Sequence, residues 1–286
     1  MSEYATRPQK RATAGTERGA QLAVPRGKRL WDRTWPPLLA VIIALLIWQI
    51  VVLSGWRPEY VLPAPLTVGQ TLVGQFGEPK FWLAVATTLN RALVGFAISV
   101  LLGSAIGIAV SRSRVLRSAI GSLITGLQTM PSIAWFPLAI LLFGLSEQAI
   151  AFVVVLGAAP SIANGVVSGV DDVSPQLQRV AQVLGAKGMS MYRHVMIPAA
   201  LPSYVAGLKQ GWAFAWRSLM AGELLVIIAS RPSLGVQLQF FREFANAPGL
   251  LSIMLVILLI GVLVDSIFSS VANGVRSRRG MGVVRL

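Results

Sequence analysis

The polar and apolar positions of this chain fall into long blocks with little alternation. A helix that crosses a bilayer needs about 20 consecutive, mostly apolar residues. Runs of that kind occur at Pro37–Leu53, Thr88–Ser111, Ser118–Phe143, Gln148–Gly169, Ala199–Ser230 and Gly249–Val271. The pattern predicts an all-α integral membrane protein with six spans. The fifth is longer and more polar than the rest, and Pro and Gly interrupt the third and fifth. Outside these runs, the segment from Trp56 to Lys80 contains Leu62-Pro-Ala-Pro-Leu66, which reads as an extended turn leading into an amphipathic stretch. Between spans four and five lie polar residues 170–196. Within them Ser174-Pro175 is a helix start, and Leu177, Val180, Ala181 and Leu184 recur at i, i+3, i+4 and i+7. That spacing predicts an amphipathic surface helix ended by Gly185, with a second short helix over Met189–Met196 running to Pro198.

Composition agrees with the pattern. Of 286 residues 55% are hydrophobic and only 13% charged, against about 25% charged in soluble domains. With one His (His194) and no Cys, thiolate and His-based catalysis and most transition-metal sites are excluded, and no metal site is expected. The formal net charge of +14 would suit nucleic acid only if it were clustered on a soluble face. It instead sorts by side. With the N-terminus in the cytoplasm, 18 of the 25 Lys and Arg fall in the tails and cytoplasmic loops and five fall outside. This asymmetry places both termini in the cytoplasm of a multi-pass protein of the bacterial inner membrane and removes nucleic acid as a partner. The reading divides the chain into a disordered basic tail (1–35), a transmembrane domain (36–275) carrying a cytoplasmic segment at 172–196, and a short C-terminal tail (276–286).

The cytoplasmic segment carries a resemblance. Binding-protein-dependent ATP-driven (ABC) importers have a membrane subunit marked by Glu-Ala-Ala, three residues, Gly, nine residues and Ile-x-Leu-Pro. Here Arg179-Val-Ala181 is followed by three residues, Gly185, nine residues and Val195-Met-Ile-Pro198. The spacing matches throughout, with Arg179 and Val180 standing where the family has Glu and Ala. Leu62-Pro-Ala-Pro-Leu66, Thr88-Leu-Asn-Arg91, Met130-Pro-Ser-Ile-Ala-Trp-Phe-Pro-Leu138, Phe143-Gly-Leu-Ser-Glu147 and Trp216-Arg-Ser-Leu-Met-Ala-Gly-Glu223 are similar to the nitrate, sulfonate and taurine branch. The resemblance covers about residues 38–275. It implies a type I importer permease, working as a homodimer with two ATP-binding cassette subunits and an extracytoplasmic substrate-binding protein. It also implies that Arg179, Ala181, Gly185, Ala186, Lys187, Met191 and Pro198 form the ATPase-coupling segment. The chain has no phosphate-binding Gly-x-x-x-x-Gly-Lys loop, so ATP and Mg are expected on the partner and no cofactor in this chain.

Ionisable residues inside spans are candidates for the pathway because their burial in lipid is costly. Span five carries Lys209, Arg217 and Glu223, and span six Asp265. Arg217 and Glu223 are six residues apart, about 240° round a helix, and so cannot pair on one helix face. An arginine can grip a planar or tetrahedral oxyanion with two parallel hydrogen bonds. The Met130-Pro131 break in span three places Gln128, Ser132 and Trp135 where backbone groups are freed toward a cavity, with Trp212 and Trp216 expected opposite. The pathway set is therefore Gln128, Ser132, Trp135, Trp212, Trp216, Arg217 and Glu223. The competing reading has the charges as interhelical ion pairs and the aromatics as packing. A secondary transporter would leave the coupling segment unexplained, and an intramembrane enzyme would have no His or Cys beside Glu223 and Asp265, so no catalytic residue is expected. Aliphatic sulfonate or taurine leads as substrate, then nitrate or bicarbonate, then a vitamin precursor. Gly95, Gly103, Ser104 and Gly107 in span two suit close helix packing.

Overall fold

The structure, a computed structural model, describes residues 26–228 and 230–277, and the chain divides into two units, 1–54 and 55–286. The first contains helix α1 (Arg26–Leu53), whose residues from Trp35 onward form an apolar span of 19 residues with none of its sides buried. The helix starts at Arg26, so it takes in the last ten residues of the expected tail; residues 1–25 of that tail lie outside the described residues.

The second unit is all helix among the described residues. Helix α2 (Pro65–Phe76) begins where the Leu62-Pro-Ala-Pro turn ends, with Ala64 extended and Pro65 at the first helical position. It packs against α11 (Ala247–Ser277), burying Val68 and Gln75. Helix α3 (Pro79–Arg112) starts nine residues before the expected span because Pro79 opens the helix directly after α2. The third expected span is broken in two. Helix α4 (Arg114–Thr129) stops at Met130, which the following proline forces into extended geometry. One 3-10 turn (Ser132–Trp135) leads to α5 (Phe136–Phe143), and the two halves bend by 103°. Helix α6 (Glu147–Asp171) is capped by Ser146, whose hydroxyl accepts from the Ala149 N–H. Then come α7 (Pro175–Val183), the short α8 (Met189–Met191) and a π-turn through Met196 that runs straight into α9 (Ile197–Leu225). Helix α10 (Leu234–Glu243), between the last two spans, was not anticipated from the sequence. Helix α11 ends at Ser277, and residues 278–286 of the expected C-terminal tail lie outside the described residues.

Among the described residues four helices are long and apolar enough to cross a membrane (Trp35–Leu53, Pro79–Arg112, Glu147–Asp171 and Ala247–Val275), or five when the bent pair is counted as one span. Helix α9 is as long but more polar. It packs against α3, α6, α10 and α11, which bury its polar residues Ser218 and Glu223. Helices α3, α6 and α9 form the centre of the unit and pack at backbone contact. A Cβ on Gly165 would lie 2.7 Å from the Cα of Gly207, and one on Gly103 would lie 2.6 Å from the Ala159 carbonyl oxygen. Small residues at these crossings are what lets three backbones approach in a bilayer, where lipid is as apolar as leucine. The largest core, around Phe136, Ile150, Val153, Trp212 and Leu219, fills the space between α5, α6 and α9.

Candidate functional site: a cleft, a coupling segment and an outer ion network

The break at Met130-Pro131 does open a cleft. A cavity of about 420 Å³ is lined by Gln128, Ser132 and Trp135 from the broken span, by Leu156 and Gly157 from α6, and by Phe214 and Arg217 from α9. Gln128 is held in place from α6: its amide donates to Ser161 Oγ at 3.1 Å, and its carbonyl accepts from Asn164 Nδ2 at 3.0 Å. Arg217 is exposed in this chain, 5.3 Å over the Phe214 ring, and makes no ion pair among the described residues.

The two tryptophans lie elsewhere. Trp212 is 5% exposed, edge-on to Phe96 and stacked at 6.2 Å on Trp216; both line a second cavity of about 610 Å³ between α9 and α11. Arg217 borders both cavities. One turn of α9 separates Trp212 from Trp216, so the pair share a face of that helix.

Glu223 lies in neither cavity. It is fully buried and bound on all sides: Arg91 Nη1 donates to it at 2.9 Å, Thr88 Oγ1 at 2.9 Å and the Gly235 N–H at 3.0 Å. Arg91 also grips Glu147 with two bonds of 2.8 and 2.7 Å, and the Leu234 N–H donates to Thr88 Oγ1 at 3.0 Å. One network thus ties α3, α6, α9 and the start of α10. Asp265 is likewise taken, by Lys209 at 3.2 Å. Of the two readings of the intramembrane charges, the ion-pair reading describes Glu223, Lys209 and Asp265, and Arg217 is left over. Sequence reasoning quoted Arg91 within Thr88-Leu-Asn-Arg91, at the start of span two, and missed its partners. The signal was there: Thr88 and Arg91 are i, i+3 on one helix face, and Glu147 opens α6 at the same end.

At the other end of the same helices stands the segment 172–196. Ser174 caps α7 by accepting from the Leu177 N–H, with Pro175 at the first position. The helix ends in a Schellman motif: the Ala186 N–H donates to the Ala181 carbonyl at 2.9 Å and the Gly185 N–H to the Gln182 carbonyl at 3.0 Å. Gly185 has φ +88°, which only glycine adopts freely, and a Cβ there would meet nothing within 4 Å. Its constraint is therefore conformational. Ala181 and Met191 are buried under the segment, Ala186 and Pro198 are half-buried, and Arg179 and Lys187 are exposed. Leu177, Val180, Val183, Leu184 and Met189 are exposed, Val183 by 88% and Leu184 by 80%. The expected apolar stripe thus splits: Ala181 faces inward, and the larger side chains face out. Uncovered apolar groups concentrated on one rigid, capped turn mark a surface made to be covered by protein. His194 is exposed and contacts only Ser190 among the described residues.

A polytopic helical unit with a bent span, an inner cleft and a capped, partly apolar knob on one end is the architecture of a transporter's membrane subunit. Residues 99–277 match the family described as binding-protein-dependent transport system inner membrane component, and the chain belongs to that family. It is similar to the taurine transport system permease protein of Escherichia coli, 30% identical over 232 residues covering 79% of this chain and 82% of that one. It is also similar to the nitrate import permease of Synechocystis, 26% identical over 242 residues covering 80% and 84%. Among solved structures, the inward-facing methionine transporter MetNI shares the fold, with TM-score 0.56 and 19% identity over 70% of this chain and 99% of that one. The chain is therefore an importer permease of the inner membrane, working with ATPase and binding-protein partners, and not an enzyme.

Proposed function

We propose that this permease carries a small oxyanion, an aliphatic sulfonate such as taurine, through a pathway built by two copies of the chain. One copy supplies only half of a two-fold pathway, and the broken span, α6 and α9 would face their symmetry mates across the axis. The observation that carries the reading is Arg217. Every other intramembrane charge named above has an opposite partner, and this guanidinium stands in the Gln128–Ser132–Trp135 cleft without one. An unpaired arginine in a membrane cleft is costly unless an anion visits it, and its fork of donors matches a sulfonate or nitrate in two parallel bonds.

In this reading both termini are cytoplasmic, and the segment 172–196 of each copy seats on one of two ATPase subunits, which bind the ATP and Mg. Val180, Val183, Leu184 and Met189 would be covered there, and the turn at Gly185 would pass motion through α8 into α9. Arg179 replaces a carboxylate that the motif usually carries, so the receiving surface at that point would offer an acidic or neutral group. The soluble binding protein delivers substrate from outside, and alternating access follows as nucleotide and binding protein bias two states of the dimer.

The test is growth of a deletion strain on taurine or an alkanesulfonate as sole sulfur source, against sulfate. The expected result is loss on the sulfonate alone, rescued by the wild-type gene and not by Arg217→Gln, whose protein should still fold and reach the membrane. Normal growth on every sulfonate would move the substrate to nitrate, the reading favoured by the Synechocystis relative. Full rescue by Arg217→Gln would remove the arginine from the pathway.

A further inference from the structure

The largest cavity described above is not the largest on the unit. A groove of about 740 Å³ runs along the cytoplasmic halves of α3, α6 and α9, walled by Ile108, Val166, Val170, Ile197 and Leu201 among others. The serine hydroxyls and the Tyr204 hydroxyl in its walls bond within the protein. Ser104 Oγ and Tyr204 OH bond each other at 2.9 Å at the deep end, and Ser111 Oγ donates back to the Ile108 carbonyl. No carboxylate lines it. The one charged lining residue is Arg112, the last residue of α3, exposed, 5.9 Å over the Tyr192 ring and in no ion pair among the described residues. From Ser104 to Arg112 the groove spans eight residues of helix, about 12 Å along the membrane normal.

We infer that this groove is a binding site for an anionic phospholipid of the inner leaflet, its acyl chain lying against Ile108, Val166 and Leu201 and its phosphate held by Arg112. An apolar trough at membrane depth with a single cation at its cytoplasmic lip is complementary to a lipid in both polarity and charge, and a basic rim between spans is the recognised form of such a site. The wall is mostly apolar, which suits an acyl chain better than a water-soluble solute. The lipid would sit against Tyr192, Met196 and Ile197, where the segment 172–196 joins α9, and would fill the space behind that joint.

The inference takes its cytoplasmic side from the orientation proposed above. Lipid retention in detergent does not depend on orientation, whereas transport does, so the two readings fail separately. The experiment is native mass spectrometry of the importer assembly, permease with its ATPase, exposed to equal amounts of palmitoyl-oleoyl phosphatidylglycerol and phosphatidylcholine. The wild type should retain phosphatidylglycerol in preference. Arg112→Gln should cut that preference about fivefold, the worth of one cation at the membrane surface. Arg112→Lys should keep most of it, and Ile108→Trp, which fills the groove from an exposed position, should lower retention of both lipids. The basic N-terminal residues also attract anionic lipid but are unchanged in these variants, so the differences report the groove. Equal retention of both lipids, or an Arg112→Gln protein that binds like wild type, would overturn the inference. So would lipid bound by the isolated chain and absent from the assembly, which would assign the groove to a protein neighbour.

Discussion

The two ends of the α3–α6–α9 core solve opposite problems. At the end that holds Arg91, charges are buried and every one is answered: Arg91 bridges Glu147 and Glu223, and Thr88 with the Gly235 and Leu234 amides completes the shell. At the end that holds the segment 172–196, apolar side chains are left uncovered. Leu177, Val180, Val183, Leu184 and Met189 project from a segment tied down by weaker, exposed contacts, Arg117 to Asp171 at 2.7 Å and Ser203 to Asp172 at 2.6 Å. A buried ion pair is costly to make and costlier to break, and fixes one arrangement of its helices. An exposed pair contributes about 0–1 kcal/mol and lets the parts around it move. The first end is built as a joint internal to the chain, and the second leaves an apolar surface uncovered.

The contrast can be broken at either end. Glu223→Ala carries the largest expected effect, because it strands the Arg91 guanidinium in the interior and frees the start of α10: about 3–5 kcal/mol of stability. Thermal unfolding in detergent should show a large downward shift, with Glu223→Gln between the two. An unchanged midpoint would mean that apolar packing alone holds that end. Gly185→Leu should separate stability from coupling. The left-handed backbone costs about 1–2 kcal/mol with a side chain present, and there is space for it, so the permease should survive purification. ATP-driven uptake in vesicles should nevertheless be lost if, as proposed, the turn presents the face that the ATPase covers; uptake at wild-type level would remove the turn from the coupling path. Ser174→Ala is the smallest. Losing the α7 cap should cost about 1 kcal/mol, seen as faster amide exchange over residues 175–184 with the Arg91 network unaffected.

The periodic features were legible in the chain itself. Runs of apolar residues gave α1, α3, α6 and α11, and the Ser-Pro start and Gly185 gave both ends of α7, because hydropathy, caps and breakers act within a few residues of themselves. The break in the third span was legible from Met130-Pro131, though not its 103° bend. Helix α10 was hidden because it is short and its apolar residues Leu234, Val236, Leu238 and Phe240 alternate, a pattern closer to a strand than to a helix. At the candidate cleft, Gln128, Ser132, Trp135 and Arg217 do converge, while Trp212, Trp216 and Glu223 point elsewhere. Their rotation about α9 could not be fixed from a helix surrounded by neighbours on nearly every side. Asn164 and Ser161, which hold Gln128, gave no local signal at all: a buried polar residue on a packed helix acquires its meaning from the side chain opposite.

What the sequence determined alone is that this chain is helical, membrane-spanning and importer-like, with a helix capped at Ser174 and ended at Gly185. Those properties follow from transfer free energy and from backbone geometry, which each stretch carries with it. What only the tertiary structure decided is which charges cancel. Arg91 lies 56 residues from Glu147 and 132 from Glu223, and the three meet only because glycines at the α3–α6 and α6–α9 crossings bring the backbones into contact. Once those pairs form, Arg217 is the charge left facing the cleft. That assignment comes from subtraction over a folded core, since the strength of an ion pair depends on a distance that no stretch of sequence contains.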